Sequence, residues 1–92
     1  MAFARIFENP NLNQAQYDAG RAATGASEDN IPDGALIHIA GPSPNGGWRV
    51  VEVRETEEQA QVWDDRINPI LLEKGIVRPV PEKWPVHSLL KR

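Results

Sequence analysis

The residues able to do chemistry in this chain are few. It has two histidines, His38 and His87, which stand far apart, and it has no cysteine. Without thiolates or an H-E-x-x-H pattern, no metal ligand set is expected. Gly46 and Gly47 lie in a turn between two strands and not before a helix, so no phosphate-cradling loop is expected either. No serine falls on a strand-to-helix elbow. What remains is imidazole, carboxylate and guanidinium chemistry. His38 sits mid-strand in a run ending LIHIA, with Glu52 and Arg54 in the next strand and Arg5 in the first. A histidine so placed suits a general base, because an imidazole ordinarily changes charge near neutral pH. Its bland reading is a histidine that fills a dimer interior and hydrogen-bonds across it. Glu52, Arg54 and Arg5 read as an acid/base or an anion clamp, or as a buried or rim ion pair that fixes dimer register.

The elements that must position these residues follow from periodicity. Ala2 to Glu8 alternates as a strand, with Phe3, Arg5 and Phe7 on one face and Ala4 and Ile6 on the other. Asn9 to Asn11 stop it. Leu12, Ala15, Ala19, Ala22 and Ala23 mark a helical stripe that Gly25 ends. Ala35 to Gly41 and Gly47 to Glu55 are two strands around the turn PSPNG, a hairpin signal. Thr56 to Gln59 (TEEQ) is a capping box that opens a second helix. Ala60, Trp63, Ile67, Ile70 and Leu71 line that helix, Pro69 is expected to kink it or split it at Asn68, and Gly75 ends it. Residues 79–92 form a Pro-rich tail in which Val86 to Leu90 is the expected last strand.

The order is β-α-β-β-α-β, which predicts one ferredoxin-like α+β domain over residues 1–92. It has a four-stranded antiparallel sheet with both helices on one face. Pairing Gly41 with Gly47 sets Leu36, His38, Ala40, Trp48, Val50, Glu52 and Arg54 on one side of the hairpin. Ile37, Ile39, Val51 and Val53 take the other. The aliphatic side is expected under the helices and the mixed side bare, together with Phe3, Arg5 and Phe7. A bare face this aromatic predicts a homodimer, two sheets enclosing a chamber between them. Trp48, Phe3 and Phe7 are stacking walls for a flat ligand, or simply dimer filling. Tyr17 and Trp63 are assigned to helix packing, and Trp84 to the dimer edge, where the tail crosses to its neighbour. If Val86, Ser88 and Leu90 face the helices, His87 enters the chamber as the second member of a catalytic pair; otherwise it is an exposed strand-end residue.

The strand pattern, the hairpin from Ile37 to Glu55 (IHIAGPSPNGGWRVVEVRE) and the helix containing Pro69 resemble the dimeric α/β-barrel superfamily. The likeness runs over essentially the whole chain. Within that superfamily it is similar to the small actinobacterial-type members near the antibiotic-biosynthesis monooxygenases. The resemblance implies a pocket per subunit, with histidines that move protons in the cyclases. It also implies a cofactor-independent enzyme of monooxygenase, cyclase or isomerase type for an aromatic or polyketide-like ligand. On that reading His38, Glu52 and His87 are catalytic, and Arg5, Phe7, Trp48, Val50 and Arg54 bind the ligand. No cofactor is expected, and no residue suits a proximal haem ligand. The alternative is a non-catalytic dimeric binding or accessory protein with a filled interior.

Composition narrows the partners. Ten Lys and Arg stand against 13 Asp and Glu, a net charge of −3 that offers no field for nucleic acid. The longest apolar run, Met1 to Ala4, is too short for a bilayer or a signal peptide, so a cytoplasmic, membrane-free protein is expected. A chain of 92 residues buries only roughly 60–65% of its unfolded surface, which favours a second copy as its stabilising partner.

Overall fold

Polar capping residues mark where this chain passes from strand to helix. In the computed structural model, which describes all 92 residues, β1 (Phe3–Asn9) is followed by α1 (Gln14–Thr24). The Asn13 side chain accepts from the Gln16 amide and the Gln16 side chain accepts from the Asn13 amide, each at 2.9 Å. Two orphan donors are thereby matched reciprocally. Gly25, in the left-handed region, closes α1. Then β2 (Ala35–Pro42) and β3 (Trp48–Arg54) form the hairpin, and Thr56 caps α2 (Glu57–Glu73) by accepting from the Gln59 amide at 3.1 Å. The last strand is β4 (Glu82–Pro85). Sheet order is β2-β3-β1-β4, antiparallel at every pairing. Both helices lie on one face, where Tyr17 of α1 meets His38 and Asp64 of α2 meets Arg5. This is the ferredoxin-like α+β arrangement.

The face under the helices is the opposite of the expected one. Phe3, Arg5, Phe7, Trp48, Glu52 and Arg54 are all buried there. Ile39 is 60% exposed on the other side, with Ile37, Ile6 and Val51 half-buried. Hydrophobicity alone favours covering the aliphatic face. The mixed face is covered because its aromatic rings bury more area and its charges find partners on α2, which a buried ion requires.

Three smaller differences have local causes. The hairpin register is shifted by two: Gly41 pairs with Arg49 and His38 with Glu52, while the turn closes through the Ser43 amide on the Gly47 carbonyl at 3.0 Å. A shift of two preserves which face each side chain takes. Helix α2 passes through Pro69 unbroken, and the carbonyl its ring leaves unmatched belongs to solvent-exposed Asp65. The last strand is Glu82–Pro85 and not Val86–Leu90, and it pairs with β1 of the same chain. It lies at the sheet edge, where prolines are tolerated.

Helix α1 also turns a different stripe inward. Tyr17, Gly20 and Thr24 face the interior, and Ala15, Ala19 and Ala22 are exposed. A tyrosine ring gains more from burial than several methyl groups. Gly20 permits the close approach, since a Cβ there would lie 2.9 Å from Ile76 Cδ1 and 3.1 Å from Leu71 Cδ2. Ile67, Leu71 and Ile76 form the dry core beside it, with Leu12 and Trp63 packed against them.

Candidate functional site

Three strands place one polar residue each in a row. Arg5 of β1 and His38 of β2 are the direct cross-strand partners of Glu52 on β3. Glu52, 2% exposed, accepts from Arg5 Nε at 2.5 Å and from Arg54 Nη2 at 3.1 Å. His38 Nδ1 lies 3.6 Å from its Oε2. The helices complete the row at both ends. Tyr17 hydroxyl and His38 Nε2 are 2.9 Å apart. On the other side Arg5 donates to both Asp64 oxygens, at 2.7 and 3.0 Å. Arg78, in the segment after α2, donates to Asp64 at 2.7 Å and to Asn68 at 3.1 Å. Both Arg5 and Arg78 stack on the Phe7 ring, 5.0 and 4.4 Å from its centre.

The electrostatics of the row favour its charged form. Burial opposes ionisation of Glu52, but the contact with His38 and the charges of Arg54 and Arg5 outweigh it and hold the carboxyl at about 2. Asp64 is likewise lowered, burial being outweighed by Arg5 and Arg78. Arg5 is raised, because Asp64 and Glu52 together overcome its own desolvation. Tyr17 moves the other way: burial raises its phenol, which therefore stays a proton donor.

Above this row, between sheet and helices of a single subunit, lies a cavity of about 330 Å³. This replaces the chamber expected between two sheets. His38, Glu52, Phe7, Trp48, Val50 and Arg54 all line it, as does Tyr17. The side chain of His38 is 44% exposed, so the cavity reaches solvent beside it. Tyr17 and Trp48 form one wall, with ring centres 5.4 Å apart. Arg5 is paired with Glu52 and Asp64 and does not line the cavity. His87 is exposed in a bend beyond β4, outside the cavity, one residue past the Val86 amide whose bond to the Ala2 carbonyl extends the edge pairing. No three metal-ligating side chains come together.

Sequence reasoning missed Tyr17, Asp64 and Arg78. Two of them left a signal. Asp64 sits in the inward stripe Ala60, Ile67, Leu71 of α2, where a charge needs a buried partner. Tyr17 shares the spacing of Gly20 and Thr24. Arg78 lies in an irregular segment and left none.

Fold and site together define a ferredoxin-like domain with an internal cavity. No protein-family model matches the chain, and no curated protein matches its sequence. Among solved structures, it is similar to a protein from Chloroflexus aurantiacus J-10-fl named as an antibiotic biosynthesis monooxygenase. The two share a TM-score of 0.60 over 98% of this chain and 95% of that one, at 13% identity. That likeness is one of fold, the fold the hairpin and helix pattern implied.

Proposed function

We propose that the chain is a cofactor-independent enzyme that moves a proton on a small, flat, aromatic or polyketide-like ligand held in the helix-covered cavity. The observation that carries this reading is His38 held between the Tyr17 hydroxyl and the Glu52 carboxylate at the cavity mouth. With Nδ1 turned to Glu52, the Nε2 lone pair is the base, and Tyr17 occupies it at rest. An acidic hydroxyl or C–H of the ligand takes the place of Tyr17, whose phenol then donates to a ligand oxygen. Glu52, ionised across the whole working pH range, stabilises the imidazolium that forms. Arg5 and Asp64 keep Glu52 from moving. A non-catalytic module with a filled interior leaves no use for a cavity of about 330 Å³, which is of ordinary ligand-pocket size.

The name of the structural neighbour makes oxygenation the first reaction to assay, by oxygen uptake and absorbance with flat aromatic compounds. His38→Ala is expected to lower turnover by roughly 10²–10⁴-fold with the fold intact. A variant with full activity overturns the assignment. The same reading includes a homodimer in a cytoplasmic setting. Its interface is the uncovered face that carries Ile37, Ile39, Val51 and Trp84, since apolar patches of this kind mark contact surfaces.

A further inference from the structure

The ligand's charge is written in what the cavity wall leaves unmatched. Arg54 lines the cavity and is 2% exposed, yet only its Nη2 has a partner, Glu52. Its Nε and Nη1 donors meet no acceptor at all. Buried donors of a guanidinium are seldom left so, because desolvating them without a hydrogen bond is costly. The charges agree. The linked cluster holds three guanidiniums, Arg5, Arg54 and Arg78, against two carboxylates, Glu52 and Asp64. One positive charge has no counterion.

We infer that the cavity takes an aromatic monoanion, a carboxylate carried on a flat ring system, with its carboxylate on the free donors of Arg54 and its ring toward Tyr17 and Trp48. This rests on the ligand-cavity reading above and names the class of molecule it admits. The surroundings support the pose. Arg54 reaches the same Glu52 carboxylate that His38 faces, and Tyr17, Trp48, His38 and Arg54 all line the one cavity. An acid anchored on Arg54 therefore sets its ring among those side chains. The bound carboxylate supplies the missing negative charge and matches donors that are otherwise orphaned, so charge and hydrogen bonding are satisfied by one group.

The test compares 1-naphthoate with 1-naphthamide, nearly the same in shape and differing in charge, by calorimetric titration of the wild-type protein. Naphthoate is expected to bind about 10- to 100-fold more tightly, the ratio ordinary for a hydrogen bond to a charged group. Arg54→Gln is expected to erase that preference and leave naphthamide affinity within a few-fold. If both compounds bind wild type equally, or the variant keeps the preference, the anion assignment is wrong and the ligand cavity stands. If neither binds at millimolar concentration, the cavity reading itself falls. Should Arg54→Gln fail to fold, the wild-type ratio alone decides.

Discussion

Glu52 is the residue on which the interior depends, because it sits between two guanidiniums and an imidazole with almost no contact with water. Removing its charge strands Arg5 and Arg54. Glu52→Gln is therefore expected to cost about 3–5 kcal/mol in urea unfolding at neutral pH, as for other broken buried pairs. The pH dependence has a definite sign. A carboxyl held at about 2 in the fold, against an ordinary 4.5, contributes stability that is complete above 4.5 and lost as pH falls toward 2. The loss is about 3 kcal/mol for this group, and Asp64, also lowered, adds in the same direction. Unfolding midpoints measured at several pH values between 4.5 and 2 should fall steeply in the wild type and less in Glu52→Gln. Equal slopes would show that the ion cluster is not what acid breaks. Tyr17→Phe removes only the hydroxyl that meets His38, with an expected stability cost of about 0.5–1.5 kcal/mol. If the proposed function holds, its larger effect is on turnover, through loss of the donor to the ligand.

Among the elements, the β2–β3 turn does most to deliver the cavity wall. Gly46 and Gly47 both have positive φ, +91° and +76°, but their surroundings differ. Open space surrounds Gly46. A Cβ on Gly47 would overlap the Asn9 carbonyl and the Pro10 backbone, where the turn presses on the end of β1. That close approach is what seats Trp48 opposite Asn9 and beneath Tyr17. Gly46→Ala should cost about 1–2 kcal/mol, the left-handed penalty alone. Gly47→Ala should cost about 2–5 kcal/mol, since backbone must move as well. Thermal unfolding ranks the two, and similar costs would mean the turn does not need this contact. Of the elements themselves, α1, α2 and the hairpin were legible in the residues that cap and turn them: Gly25, Thr56 and Gly46. The last strand was not. Its residues, Glu82–Pro85, are exposed and show no alternation to read, and only pairing with β1 makes them a strand.

For the whole molecule, the uncovered sheet face is the interface of the proposed dimer. Ile39 is 60% exposed and Trp84 46%, and each large apolar side chain that a partner covers is worth ~1.5–3 kcal/mol. In the proposed dimer folding and association are coupled, so stability is expected to depend on concentration. Light scattering at micromolar concentration is expected to give twice the chain mass, with a Tm that rises with protein concentration. Ile39→Glu should yield a monomer whose melt no longer depends on concentration. A monomeric wild type would remove the dimer from the proposed function and leave the internal cavity, which belongs to one subunit, in place.

The order of elements, the caps at Gly25 and Thr56 and the division of the first three strands into two faces were determined by the sequence, because each depends on neighbours within a few residues. So was the grouping of His38, Glu52 and Arg54 on one face, which survived a two-residue slip in register. Which of the two faces the helices cover was decided only in three dimensions. Alternation is symmetric between faces, and apolar content pointed to the aliphatic one. The choice was made by Asp64 on α2 and Tyr17 on α1, distant residues that supply Arg5 with a counter-charge and His38 with a hydroxyl. A buried charge must lie where its partner is, and that need outweighed the simpler preference for burying the greasier side.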